Sequence, residues 1–144
     1  MKMKPYVKIA LAVVLFIVIG GILGGLYMYN MKPKDLKTVK PDFVITAVDL
    51  CAAFNEDGKA ATAKYVNKVI EVSGEISSLM PGDKGVVNIQ LESGNNLTSV
   101  ICTIPISGVN DSFKPGKAIT IRGVCSGFLM DVLLNNCVVV ENKK

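Results

Sequence analysis

The chain has 144 residues, half of them hydrophobic, with no histidine, no tryptophan and a formal net charge of +4. Without histidine, the commonest general base near neutral pH and the commonest metal ligand are both missing, which weighs against an enzyme. The positive excess sits in residues 1–41, where seven lysines (2, 4, 8, 32, 34, 37, 40) face one acid, Asp35; residues 42–144 carry nine basic and eleven acidic side chains, so a phosphate-gripping patch there would form against a net charge of −2.

Residues 1–8 form a short tail with three lysines. Ile9–Tyr29 then runs 21 residues without a charge. At helical rise this spans roughly 30 Å, the thickness of a bilayer core. The apolar core is longer than that of a cleaved signal, and no small-residue cleavage site follows it. The expectation is an uncleaved transmembrane helix over 9–29, in contact with membrane lipid. Lysines flank both ends, so the charge rule is nearly balanced. A short tail stays in the cytoplasm by default, which puts the N-terminus inside and the C-terminal domain outside. Gly20 with Gly24, and Gly21 with Gly25, form two overlapping GxxxG patterns. That spacing permits close helix pairing and a homodimer, though glycine is also common in membrane helices generally.

Residues 30–41 read as a polar, lysine-rich spacer with two prolines, suited to a juxtamembrane linker. The domain proper is expected over 42–144. Thr46 with Asp49 fits a helix N-cap followed by an acid three residues on. Leu50, Cys51, Phe54, Ala61 and Tyr65 recur at helical spacing and predict a helix from Thr46 to about Tyr65. Gly58 costs such a helix about 1 kcal/mol relative to alanine, so a break near Asn55–Gly58 is expected.

Asn67–Leu79 switches to a period of two, with Ile70, Val72 and Ile76 on one face and Glu71, Ser73 and Glu75 on the other. Gly74 in mid-run predicts a bulge or sharp bend. A long, bent first strand is what a small closed barrel requires, since one strand then serves both halves of a curled sheet. Turn clusters separate four further strands: Gly85–Glu92, Leu97–Ile104, Ala118–Cys125 and Asp131–Glu141. Lys114–Lys117 fits a type II turn. Asn135-Asn136 predicts a bulge in the last strand. Residues 105–113 show no periodicity. One helix followed by five strands matches the OB-fold, a five-stranded Greek-key barrel. The fold class expected is therefore mainly β: an OB-fold barrel over about 67–141, preceded by an α-helix and an N-terminal transmembrane helix.

The run TAVDLCAAFNEDGKAATAKYVNKVIEVSGEI resembles the opening of the tRNA_anti-like family, as do VICTI, KPGKAITIRGVCSG and DVLLNNCVVV. The membrane helix ending in MYN, with its lysine- and proline-containing spacer, is similar to members of that family. The resemblance covers about Asp42 to Glu141 and implies a membrane-anchored OB-fold domain. Gly58 departs from the family's usual helix former.

Four cysteines, Cys51, Cys102, Cys125 and Cys137, contain no C-x-x-C pair, so no metal site or thioredoxin-type site is expected. In an OB-fold the last strand lies between the third and fourth. Cys137 is then placed to meet Cys125, the preferred partner, or else Cys102 in a disulfide, or all four are buried thiols. OB-folds usually bind across strands two and three. That face would offer Asn88, Gln90 and Thr98, with Glu92 and Ser99 beside them. It lacks the stacking aromatics and basic groove of single-strand binders. A basic patch would need Lys84, Lys114, Lys117 and Arg122 to converge. Asp83, Asp111 and Asp131 are turn acids whose convergence an enzyme would require. The reading preferred is a non-enzymatic, membrane-anchored OB-fold binding module with no cofactor, contacting a protein or envelope component outside the cytoplasm. The alternative is a nucleic-acid-binding OB module.

Overall fold

The computed structural model describes residues 2–30 and 35–140. The lysines at 32, 34, 143 and 144 and the expected strand end at Glu141 lie outside the described residues. The chain divides into two units, Met1–Pro33 and Lys34–Lys144.

In the first unit, helix α1 spans Pro5–Tyr29 and buries none of its residues. Proline opens it, where a missing N–H is harmless. It is long and apolar enough to cross a membrane by length and composition, a test that a signal sequence also passes. Its four glycines have open space where a side chain would stand.

The second unit begins its regular structure with a strand that the hydrophobic pattern did not announce. β1, Phe43–Thr46, runs parallel to the start of β2, Val69–Pro81, pairing Phe43 with Ile70 and Thr46 with Ser73. Four residues are too few to show alternation. Asp42 holds the register from outside, its Oδ2 accepting from Val69 N at 2.9 Å and its own N–H donating to Val69 O.

The expected helix is present as two. α2 covers Ala47–Glu56 and α3 covers Gly58–Tyr65. Thr46 caps α2 by accepting from Asp49 N at 3.1 Å. The break falls at Asp57, in extended conformation, whose carboxylate caps Ala60 N at 3.1 Å. Gly58 therefore opens a second helix rather than weakening the middle of one.

β3 (Val86–Leu91), β4 (Val100–Pro105), β5 (Ala118–Leu129) and β6 (Asp131–Val139) complete the sheet. Its order is β1-β2-β3-β4-β6-β5, and β2 also pairs with β5, which closes strands β2 to β6 into a five-stranded OB-fold-like barrel. β2 serves both halves: Val69–Glu75 pairs with β5, and Ile76–Pro81 with β3. Gly74 lies at the handover. A Cβ there would stand 3.0 Å from that of Ala47, so the glycine admits the start of α2 against the strand. The register irregularity itself comes between Ile76 and Ser78. The expected bulge near Asn135-Asn136 is present opposite Arg122–Val124, with Asn136 at φ 52°.

Two strand boundaries differ from expectation. β4 starts at Val100 rather than Leu97, because Asn95 Oδ1 accepts from Leu97 N and Thr98 N and folds the preceding residues into a turn. β5 continues to Leu129, and the β5–β6 turn narrows to Met130 at φ 74°. The core is formed by the inward positions of every barrel strand, with Leu50, Cys51 and Phe54 of α2 and Ala61 and Tyr65 of α3 sealing one end. There the rings of Phe43, Tyr65, Phe54 and Phe128 pack in sequence at centroid distances of 5.0, 6.0 and 5.2 Å.

Candidate binding surface

The outer face of β2–β3–β4 carries polar side chains at alternate positions, as the period of two requires. They bond one another. Ser78 Oγ donates to Gln90 Oε1 at 2.8 Å, and Gln90 Nε2 donates to Ser99 Oγ at 2.9 Å. Ser99 Oγ and N both donate to Asp131 Oδ1, at 2.7 and 2.8 Å. Thr103 Oγ1 donates to Asn88 Oδ1 at 2.9 Å. Asn88 and Gln90 thus share the expected face, half-buried and with polar atoms engaged. Thr98 does not join them. It is buried in the β3–β4 loop, where it accepts from Asn55 Nδ2 of α2 at 3.0 Å and bonds Asn95. Neither β3 nor β4 contains an aromatic residue.

Of the four residues proposed as a basic patch, Arg122 is engaged elsewhere. Its Nε and Nη2 donate to Glu71 Oε2 at 3.2 and 2.7 Å, across the β2–β5 pair. Its Nη1 reaches the carbonyls of Leu36, Lys37 and Val39, at 2.9, 3.3 and 2.6 Å. The guanidinium fork suits this task, because one planar group serves a carboxylate on one side and carbonyls on the other. Residues 36–39, expected to be part of a free linker, are held on the barrel, with Leu36 buried. Lys84 occupies the β2–β3 turn at φ 57°, while Lys114 and Lys117 share the turn before β5.

All four cysteines are buried free thiols. Burial lifts Cys51 from 9.0 to about 11, against hydrogen bonds from Thr98 and Ser93 that lower it. Cys102 is held well above the usual thiol range by the neighbouring Cys137 thiol and by burial, while Cys137 Sγ itself donates to Leu134 O at 3.3 Å. Burial also raises Cys125. Of the two pairings open to Cys137, the fold brings it beside Cys102; Cys125 lies opposite Leu134 on β6. These thiols are poor nucleophiles, since the thiolate is the reactive form. Asp131 is occupied by Ser99, and among the described residues no group of three or more His, Cys, Asp or Glu could hold a metal.

Sequence reasoning missed an apolar rim at the helix-capped end. Leu97, Leu129 and Met130 are 84, 79 and 77% exposed. The two loops that carry them are tied together by the Ser99–Asp131 bonds and by Val132 N donating to Ser99 O at 2.9 Å. Val48 of α2, half exposed, packs against Gly94 of the same β3–β4 loop. Leu129-Met130 was assigned to a turn, and turns carry no periodicity from which an outward direction could be read.

The profile of the tRNA_anti-like family matches residues 1–139. No curated protein matches the chain. Among solved structures, a candidate nucleic acid-binding lipoprotein from Klebsiella pneumoniae superposes with a TM-score of 0.57 at 18% identity, over 76% of this chain and 100% of that one. An OBody, NL8, solved bound to hen egg-white lysozyme, matches with a TM-score of 0.34 at 12% identity, over 53% of this chain and 98% of that one, and carries no argument. At these identities the first likeness is one of fold.

Proposed function

Since this chain belongs to the tRNA_anti-like family, we propose that it is a non-enzymatic, membrane-anchored module docking a protein or envelope component outside the cytoplasm. Helix α1 serves as the anchor in this reading, with residues 1–8 in the cytoplasm and the barrel beyond the membrane. The observation that carries it is the rim of Leu97, Leu129 and Met130, three large apolar side chains left in water beside a sheet face whose polar groups already satisfy one another. Apolar surface of this kind is what a partner buries with gain. Pairing of two anchors through Gly20, Gly21, Gly24 and Gly25 would double the number of rims per assembly.

The second reading is a nucleic-acid module. The printed description of the Klebsiella lipoprotein favours it, as does the Lys114–Lys117 pair. Against it stand the missing stacking aromatics on β3 and β4 and the engagement of Arg122.

The deciding experiment has two arms. A reporter active only outside the cytoplasm, fused after Lys144, is expected to be active. The full chain carrying a photocrosslinking residue at Met130 is expected to give one discrete adduct, absent when the same residue stands at Lys84. A silent reporter together with retardation of single-stranded RNA or DNA at moderate salt would replace this reading with the second.

A further inference from the structure

The barrel has a second, dissimilar end. Opposite the helical cap, the β4–β5 connection and the last residues of β6 line an open cavity of about 900 Å³. Its floor is apolar, formed in part by buried Ile76 and Ile104, with half-buried Phe113 and Ile119 as walls. Lys37 and Lys117 stand at its margin, and the residues lining it include no carboxylate among those described. Small-molecule sites commonly measure about 300–1,000 Å³ and combine an apolar lining with a few polar groups.

The enclosing loop is a built wall. Gly116 N donates to Ile76 O and Ile76 N donates to Lys117 O, both at 2.8 Å, which stitches the loop's end to β2. Asn110 Oδ1 accepts from Ser112 N at 2.9 Å, and Phe113 N donates to Asn110 O at 3.0 Å, which sets the turn carrying Phe113. Lys37 reaches the margin because Arg122 binds the carbonyls on both sides of it, at Leu36 and Val39. The Arg122 clamp thus supplies one of the two cations from a segment outside the barrel strands.

From this arrangement we infer that the cavity binds a small amphipathic anion, an apolar chain or ring bearing one carboxylate or comparable head, with the apolar part against Ile76, Ile104 and Phe113 and the head between Lys37 and Lys117. A neutral apolar molecule would gain nothing from the two cations. A polyanion would bring charge that two lysines cannot match. This site is separate from the docking rim and stands or falls without it.

The chain contains no tryptophan, so Phe113→Trp places a single fluorophore in the cavity wall. The probe is ω-bromodecanoate, whose bromine quenches tryptophan only on contact, added to the full chain in detergent micelles. Saturable quenching is expected, and Lys37→Gln with Lys117→Gln should weaken it roughly tenfold, from about 0.5–1 kcal/mol per charge contact. ω-Bromodecanol should bind more weakly and be indifferent to the lysine changes. Phe128→Trp, at the capped end, should show no saturable quenching. Non-saturable quenching, equal affinity for the acid and the alcohol, equal quenching of the Phe128→Trp variant, or no effect of the lysine changes would each overturn the inference. Both lysines are exposed, so their replacement leaves the fold in place as a control.

Discussion

The two ends of the barrel are closed by different means. At one end α2 and α3 press Leu50, Phe54 and Tyr65 into the sheet, and four aromatic rings run from β1 to the tip of β5. At the other end a loop stands off from the strands and leaves a cavity, with Phe113 only half buried. The sheet between them is continuous. The difference leads to the expectation that the aromatic side chains at the helical end carry more of the stability than Phe113 at the open end. Phe54→Ala should cost about 3–5 kcal/mol, the usual range for a buried phenylalanine. Phe113→Ala should cost about 1 kcal/mol, because much of its surface already faces water. Urea denaturation of both variants measures the contrast. Equal losses would mean that the open end is part of the core and that the comparison fails.

The Arg122 clamp makes the next largest difference. Arg122→Ala leaves Glu71 without its cation and three carbonyls without a donor, in a partly buried setting, for about 2–3 kcal/mol. Lys117→Ala, on the same strand's approach but exposed, should stay within about 0.5 kcal/mol. Beyond stability, the arginine variant should open the Lys37–Thr38 bond to trypsin in the native state, Lys40 being protected by the proline that follows it. Unchanged cleavage there would show that residues 36–39 hold their place without Arg122.

Where the chain obeys a period, the sequence was readable. The alternation of Ile70, Val72 and Ile76, and of Ile89 with Leu91, gives the barrel strands and their inward faces, and Thr46 with Asp49 gives the helix start. Where a contact joins distant segments, it was not. β1 is too short to alternate and exists because β2 offers it an edge. Arg122 looked like a free cation, since nothing local to it says that Glu71 and the carbonyls of residues 36–39 converge there. Thr98 was expected on the outer face although it shares the parity of inward Val100 and Cys102; the side chain of Asn95 turns that stretch into a loop, and Thr98 is buried under α2. The cavity and the apolar rim both arise from loops, whose directions depend on hydrogen bonds rather than periodicity.

The thiols sharpen the comparison through pH. Cys51 under the cap is raised from 9.0 to about 11, and Cys102 and Cys125 are raised as well. A folded thiol with a raised pKa keeps its proton where the unfolded chain has lost it. Its contribution is therefore complete below pH 9.0 and declines as pH rises from there towards about 11. Denaturation midpoints in the presence of reductant should fall over that window. Cys51→Ala should reduce the slope, and a pH-independent midpoint would contradict the burial. Cys137 borders the cavity, whereas Cys51 lies on the buried face of α2, so slow alkylation of the native protein should reach Cys137 first.

The smallest expected change in stability belongs to the rim, and it separates folding from docking most cleanly. Leu129→Ser and Met130→Ser alter side chains that are 79 and 77% exposed, so little transfer free energy is lost and stability should move by no more than about 0.5 kcal/mol. Both positions lie beside the Asp131–Ser99 bonds, which involve Oδ1 of Asp131 and the backbone and hydroxyl of Ser99, and neither substitution touches those atoms. The discrete crosslink from the neighbouring loop, probed from Leu97 in the doubly substituted chain, should nevertheless disappear. Quenching of the Phe113→Trp variant by ω-bromodecanoate should persist unchanged in the same background. A crosslink that survives the two serines would place docking elsewhere on the barrel, and a coupled loss of both signals would mean that the two ends do not act independently.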